Sequence, residues 1–191
     1  MGGWLAPALA RGEHPSLAPA SGLSFHRDVA DKIFPIPEGF RTRADQVLRE
    51  RAALLGLVAK SGRVLGTYVE HGANVTGSRG PTTRAALEES MSQLQMTLEA
   101  RARFIEECYG LSVDWRRWFS SASRPLRLAL ELLEGGRPSL SELVARGTAR
   151  RWLWIVMFSM PYKLRVRAFR WWWGEHPGKR WIRLIARVLH I

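Results

Sequence analysis

The chain reads as α+β and mainly α, on three observations. Apolar residues recur at helical spacing over two long stretches, 42–55 and 81–109. Proline and glycine stand where those stretches begin and end. Against them there is one short β-prone run, Val64 to Val69.

Residues 1–20 carry Pro7, Gly12, Pro15 and Pro19 without a sustained period and read as an irregular lead-in. His26 to Lys32 is a short helix, ended by Pro35 and Pro37, which push their preceding residues toward extended geometry. Thr42 opens the next helix: Thr42-x-x-Asp45 resembles a capping box, with Asp where Glu or Gln is preferred. Ala44, Val47, Leu48, Ala52 and Leu55 form its buried face, and Gly56 stops it. Val64 to Val69 is the strand. Gly72 and Gly77 then place His71 and Asn74 on a loop.

Pro81-Thr82-Thr83 starts the longest helix, which reaches Tyr109 with Gly110 as its stop. Its stripe is Leu87, Met91, Leu94, Leu98, Ala102 and Ile105, a packing surface, with Glu88, Glu89, Gln93, Glu99 and Arg103 opposite. A helical hairpin follows over 114–121 and 125–134, with a Ser-rich turn between and Gly135-Gly136 at its end. Residues 81–138 thus form a helical region. Ser139-x-x-Glu142 opens a helix running to Met160, where Pro161 breaks it. Tyr162 to Trp173 and Gly178 to Leu189 are further helices, so residues 139–191 form a basic, Trp-rich amphipathic tail.

A length of 191 residues suits one domain, or a small domain with an appendage. At 46% apolar the chain has enough material for a core. Cys108, the single cysteine, rules out an internal disulfide and a cysteine zinc cluster, and fits a reducing compartment. The five histidines show no metal-ligand spacing, and no P-loop or dinucleotide-type glycine loop occurs. A net charge of +12 and a pI near 11.2 call for an anionic partner. The excess lies at the end: from Arg146 onward there are 11 Lys and Arg and one acid, Glu175. No run reaches the ~18–20 apolar residues of a spanning helix, and Met1 to Ala10 lacks the basic start of a secretory signal. The expectation is a cytoplasmic protein, peripheral on the inner face of the cell membrane.

One ordered series of motifs goes further. It begins with Ser21-Gly22-Leu23 and Phe25-His26-Arg27, then Pro35-Ile36-Pro37, then Asp45 in the first turn of a helix. It ends with Gly66-Thr67-Tyr68-Val69-Glu70-His71-Gly72-Ala73-Asn74. In order and spacing, residues 21–80 resemble the second half of the catalytic domain of family-2 glycosyltransferases, the inverting enzymes with an A-type fold. The resemblance implies a partial A-type domain joined to a helical C-terminal region. It also implies that the chain is the C-terminal portion of such an enzyme, incomplete alone. An irregular lead-in ahead of a half-domain points to a truncation or a misplaced start codon.

By the same resemblance Asp45 is the acceptor-side carboxylate, the base that takes the proton of the attacking hydroxyl. Without it, an acid in a first helical turn is explained by the helix dipole. His71 matches the histidine beside the donor diphosphate and its metal, a divalent Mg or Mn ion. Taken alone it is an exposed loop histidine, and Asn74 is a turn residue. Tyr68 joins them on the donor side, while Ser21, Gly22 and Arg27 form the acceptor-side turn. Two departures stand out: Val69 occupies the place of the family's arginine, and Asp28-Val29-Ala30-Asp31 does not replace its upstream Asp-x-Asp motif.

In the tail, Trp152, Trp154, Arg167, Arg170, Trp171, Trp172 and Trp173 make a membrane-surface set, indole at headgroup depth and guanidinium on lipid phosphate. Packing against another half-domain is the competing account. Nucleic-acid binding is disfavoured, because no nucleic-acid motif accompanies the mixture. The function expected is transfer of a sugar from a nucleotide donor to a lipid-linked or polysaccharide acceptor, in cell-surface polysaccharide or glycolipid synthesis. The alternative is a non-catalytic helical protein bound to anionic membrane surfaces.

Overall fold

The computed structural model describes residues 3–17, 22–59, 61, 82–138 and 151–173. Among them the chain is mainly helical, and the one β-type pairing is an isolated antiparallel bridge between Gly3 and Val58. The strand expected at Val64 to Val69 lies outside the described residues, as do 139–150 and 178–189. Two compact units divide the chain, one from Met1–Val69 with Met91–Ser123, the other from Glu70–Ser90 with Arg124–Ile191.

The first unit starts with α1 (Ala6–Ala10), where the sequence shows no period: five residues are too few to reveal one. Pro7 suits its first turn, and Leu5, Ala6 and Leu9 enter the core. α2 (Arg27–Ile33) is capped by His26, whose Nδ1 accepts from the Asp28 N–H at 3.4 Å. It ends at Phe34, just ahead of Pro35.

α3 (Ala44–Leu55) does not begin at a Thr42 cap. Its N-cap is Arg43, in the left-handed region at φ 66°, without a side-chain cap bond. The Thr42 N–H instead donates to Gln93 Oε1 at 3.3 Å. The buried face is Val47, Glu50, Ala53 and Leu54, rotated from the predicted one, while Gly56 ends the helix as expected. Arg51 Nη1 donates to the carbonyls of Ile33 and Pro35, both at 2.9 Å, tying the Pro-x-Pro turn to α3.

α4 (Arg84–Tyr109) is the longest helix. Thr83 Oγ1 accepts from the Ala86 N–H at 3.3 Å, and Gly110 at φ 64° closes the far end. Of the predicted stripe, Leu87, Leu94, Leu98, Ala102 and Ile105 are buried. Gln93, expected on the solvent side, is buried too, and with Thr97 and Arg101 makes a polar line at i, i+4 and i+8. In the first unit Phe104 and Ile105 pack with Leu9, Ile33, Ala53 and Leu54. α5 (Trp115–Ala122) is capped by Asp114, whose Oδ1 accepts from the N–H groups of Arg116 and Arg117.

In the second unit α6 (Arg124–Glu134) is the first helix after Ser123, and Gly135 at φ 84° closes it. α7 (Arg151–Ser159) and α8 (Tyr162–Trp173) flank Pro161 as predicted. Their core is Leu87, Leu128, Ala129, Leu132, Trp154, Met157 and Phe169. Among the described residues no helix is long and apolar enough to cross a membrane.

Candidate functional site

The first unit gathers its buried charge around Glu50 and Arg101. An acid on the apolar face of a helix needs a partner, since an unpaired buried charge is costly. α4 supplies one: Arg101 Nε donates to Glu50 Oε2 at 2.9 Å and Nη2 to Oε1 at 2.5 Å. Both side chains are almost fully buried. Arg101 also donates through Nη1 to the Glu13 carbonyl at 3.2 Å. It lies 3.2 Å from His14 Nδ1 and 5.6 Å over the Trp118 ring.

The hydrogen bonds continue along α3 toward its N-terminus. Gln46 Nε2 donates to Glu50 Oε1 at 2.8 Å, and Arg43 Nη1 donates to Gln46 Oε1 at 2.9 Å. Burial pushes the Arg43 guanidinium down, opposed by the charges of Glu50 and Asp45. His14 is also pushed down, first by burial and then by the Arg101 charge. The residue nonetheless keeps exposure to water, with Nδ1 toward Arg101.

Asp45 sits at the end of this chain of groups, half-buried in the first turn of α3. The preceding Arg43 holds a backbone conformation that is uncommon for a residue with a side chain, and such conformations gather at functional sites. Glu50 has both oxygens occupied and is neutralised by Arg101. The Asp45 carboxylate makes no hydrogen bond or ion pair among the described residues.

Of the remaining predicted residues outside the tail, Gly22 and Arg27 are described. Gly22 is exposed; Arg27 is exposed with its Nε 4.0 Å from Asp31 on the same helix. Ser21, Tyr68, His71 and Asn74 lie outside the described residues. No group of three His, Cys, Asp or Glu side chains suited to a metal occurs among the described residues. Arg43, Glu50, Arg101 and His14 escaped the sequence reading. The signal was there for Glu50 alone: an acid between Val47 and Leu54 on an otherwise apolar face.

The tail set is divided. Trp154 is 2% exposed, stacks on Phe158 and meets Phe169 and Trp173 at a tilt, with centroid distances of 5.6–6.5 Å. Its indole is core rather than membrane surface, because α6 and α8 supply apolar partners around it. Trp172 and Trp173 are half-buried, whereas Arg167, Arg170 and Trp171 are exposed on α8. Trp152 lies in α7, its side chain outside what the structure describes.

No family model matches the chain, and no solved structure matches it. It is 34% identical over 101 residues to an uncharacterized glycosyltransferase of Nostoc sp., in an alignment covering 52% of this chain and 31% of that protein. The chain therefore spans about a third of the length of the curated relative it matches. That likeness relates it to a glycosyltransferase.

Proposed function

We propose that this chain supplies the acceptor side of an inverting, family-2-like glycosyltransferase that uses a nucleotide-sugar donor. The observation that carries the reading is the likeness over 101 residues to a glycosyltransferase. The half-buried carboxylate of Asp45, which makes no hydrogen bond among the described residues, at a helix start marked by the αL residue Arg43, supports it.

Asp45 takes the proton of the acceptor hydroxyl as that oxygen attacks the anomeric carbon, and the nucleoside diphosphate leaves from the opposite face. The Arg43–Gln46–Glu50–Arg101 chain fixes the first turns of α3 and so the direction of that carboxylate. On the donor side, by the family resemblance, His71, Asn74 and Tyr68 would serve the diphosphate, and His71 would be a candidate ligand for a divalent Mg or Mn ion. Such an ion would offset diphosphate charge when bound, and proton removal at Asp45 would not pass through it. The acceptor is a lipid-linked or polysaccharide chain of cell-surface synthesis, reached from the inner face of the cell membrane.

The test is transfer of labelled sugar from a panel of nucleotide sugars to a lipid extract, on protein isolated from its native source. Transfer with inverted anomeric configuration is the expected result. No transfer from any donor would remove the enzymatic reading; transfer with retention would remove Asp45 as its base.

A second reading has its own observation. On α8, Leu164 and Trp171 are exposed between Lys163, Arg167 and Arg170, a pattern suited to an anionic lipid surface. A non-catalytic membrane-surface protein would bind anionic vesicles at low salt and transfer no sugar.

A further inference from the structure

In the first unit, a cleft of about 840 Å³ opens beside the C-terminal half of α4, bounded across from it by residues 112–116. It shares none of the residues of the Glu50–Arg101 cluster. Its volume falls in the range of small-molecule sites, ~300–1,000 Å³.

Three features of its lining narrow what it would hold. First, the half-buried Trp115 forms an aromatic wall, braced by Arg116 at 5.1 Å over the ring and by Phe119 edge-on at 6.5 Å. The Trp115 indole N–H meets no acceptor among the described residues. Second, Arg103 and Glu106 line the cleft, and neither makes a side-chain hydrogen bond or ion pair among the described residues. Asp114 spends Oδ1 on the helix cap, and its Oδ2 has no partner among the described residues. Third, the lining carries three carboxylates, Glu99, Glu106 and Asp114, against two guanidiniums, Arg103 and Arg116.

Donors and acceptors of both kinds, interleaved beside a flat aromatic face, match a ligand with many hydroxyls and an apolar C–H face. Carboxylates accept from hydroxyls, a guanidinium donates to adjacent ring oxygens, and the indole covers the C–H face. The slight acidic excess disfavours a phosphate or a uronate. We infer that this cleft is a binding subsite for an uncharged pyranose oligosaccharide, holding the acceptor glycan away from the reacting sugar. The ligand class rests on the glycosyltransferase reading; the site rests on the cleft.

The experiment follows the Trp115 indole N–H signal of the full chain by NMR during titration with maltotriose, cellotriose and triacetylchitotriose. Expected is a saturable shift with at least one of them, at the millimolar affinity usual for a few hydrogen bonds and one stacked ring (~1–10 mM). Trp115→Ala could disturb α5, so Arg103→Gln and Glu106→Gln, both solvent-facing, are the decisive variants. Each should weaken binding at least fivefold while leaving the thermal midpoint unchanged. Absence of a shift with all three sugars, or binding indifferent to both variants, overturns the inference. Sugar transfer measured separately keeps the two readings apart. Glycan binding without transfer leaves the cleft standing and removes the enzyme. Transfer without binding at Trp115 does the reverse.

Discussion

Glu50 and Arg101, 51 positions apart in sequence, form a two-point ion pair inside the first unit, at 2.9 and 2.5 Å. The pair joins α3 to α4 and, through the Glu13 carbonyl and His14, holds the segment after α1. It explains how a helix with an acid on its buried face is stable at all. The same pair sets the direction of α3, and with it the position of Asp45.

Removing one member strands the other. Arg101→Leu or Glu50→Leu alone should cost about 3–5 kcal/mol in urea unfolding, the usual penalty for a buried charge left unpaired. The double replacement should recover most of that loss, giving a coupling energy of a few kcal/mol. Additive single effects would mean the two charges do not depend on each other.

His14 makes stability depend on pH. Burial and Arg101 hold its folded pKa below the ordinary value, so near pH 6.5 and below the unfolded chain binds more protons than the folded one. Stability therefore rises with pH through that window and falls on acidification. The exposure of His14 keeps the effect under about 1 kcal/mol. The thermal midpoint should drop between pH 7.5 and 5.5, and His14→Gln should remove part of the drop. Parallel curves for the two proteins would contradict this placement of His14.

Gly12 has no room for a side chain. It sits at φ +80°, and a Cβ there would lie 2.2 Å from Trp118 Cδ1. Gly12→Ala should destabilise by about 2–4 kcal/mol, combining backbone strain with displacement of the indole. A loss below about 0.5 kcal/mol would show that the indole is free to move aside.

The tail tryptophans should separate by assay. Trp154→Ala removes a core indole and should cost about 3–5 kcal/mol. Trp171→Ala, on the exposed side of α8, should cost under about 1 kcal/mol. It should weaken retention on phosphatidylserine vesicles at low salt. If both variants lose the same stability, the division between core and surface is mistaken.

Much of the helical layout was legible because its signals are local. Thr83, Gly110, Pro161 and the prolines after α2 mark helix ends within a few residues of where the chain obeys them. Thr42 misled, since its backbone N–H is taken by Gln93, and the chain enters α3 through the αL residue Arg43. Gln93 and Arg101 look like solvent residues to any local rule, because their partners are about 50 positions away, while Glu50 betrays itself only as an acid on an apolar face. Trp154 looked interfacial for the same reason: its aromatic partners come from α8 as well as its own helix. Asp45 was found by motif order, and composition alone would have left it a dipole acid.

The most direct measurement is the sugar-transfer rate of Asp45→Asn against wild type, in protein from the native source, with thermal midpoints compared. Asp45 makes no hydrogen bond among the described residues, so the variant should lose under about 1 kcal/mol of stability from the helix dipole. Its transfer rate should fall about 10²–10⁴-fold, the contribution of a positioned base. A rate within a few-fold of wild type, with the fold intact, would contradict the role given to Asp45.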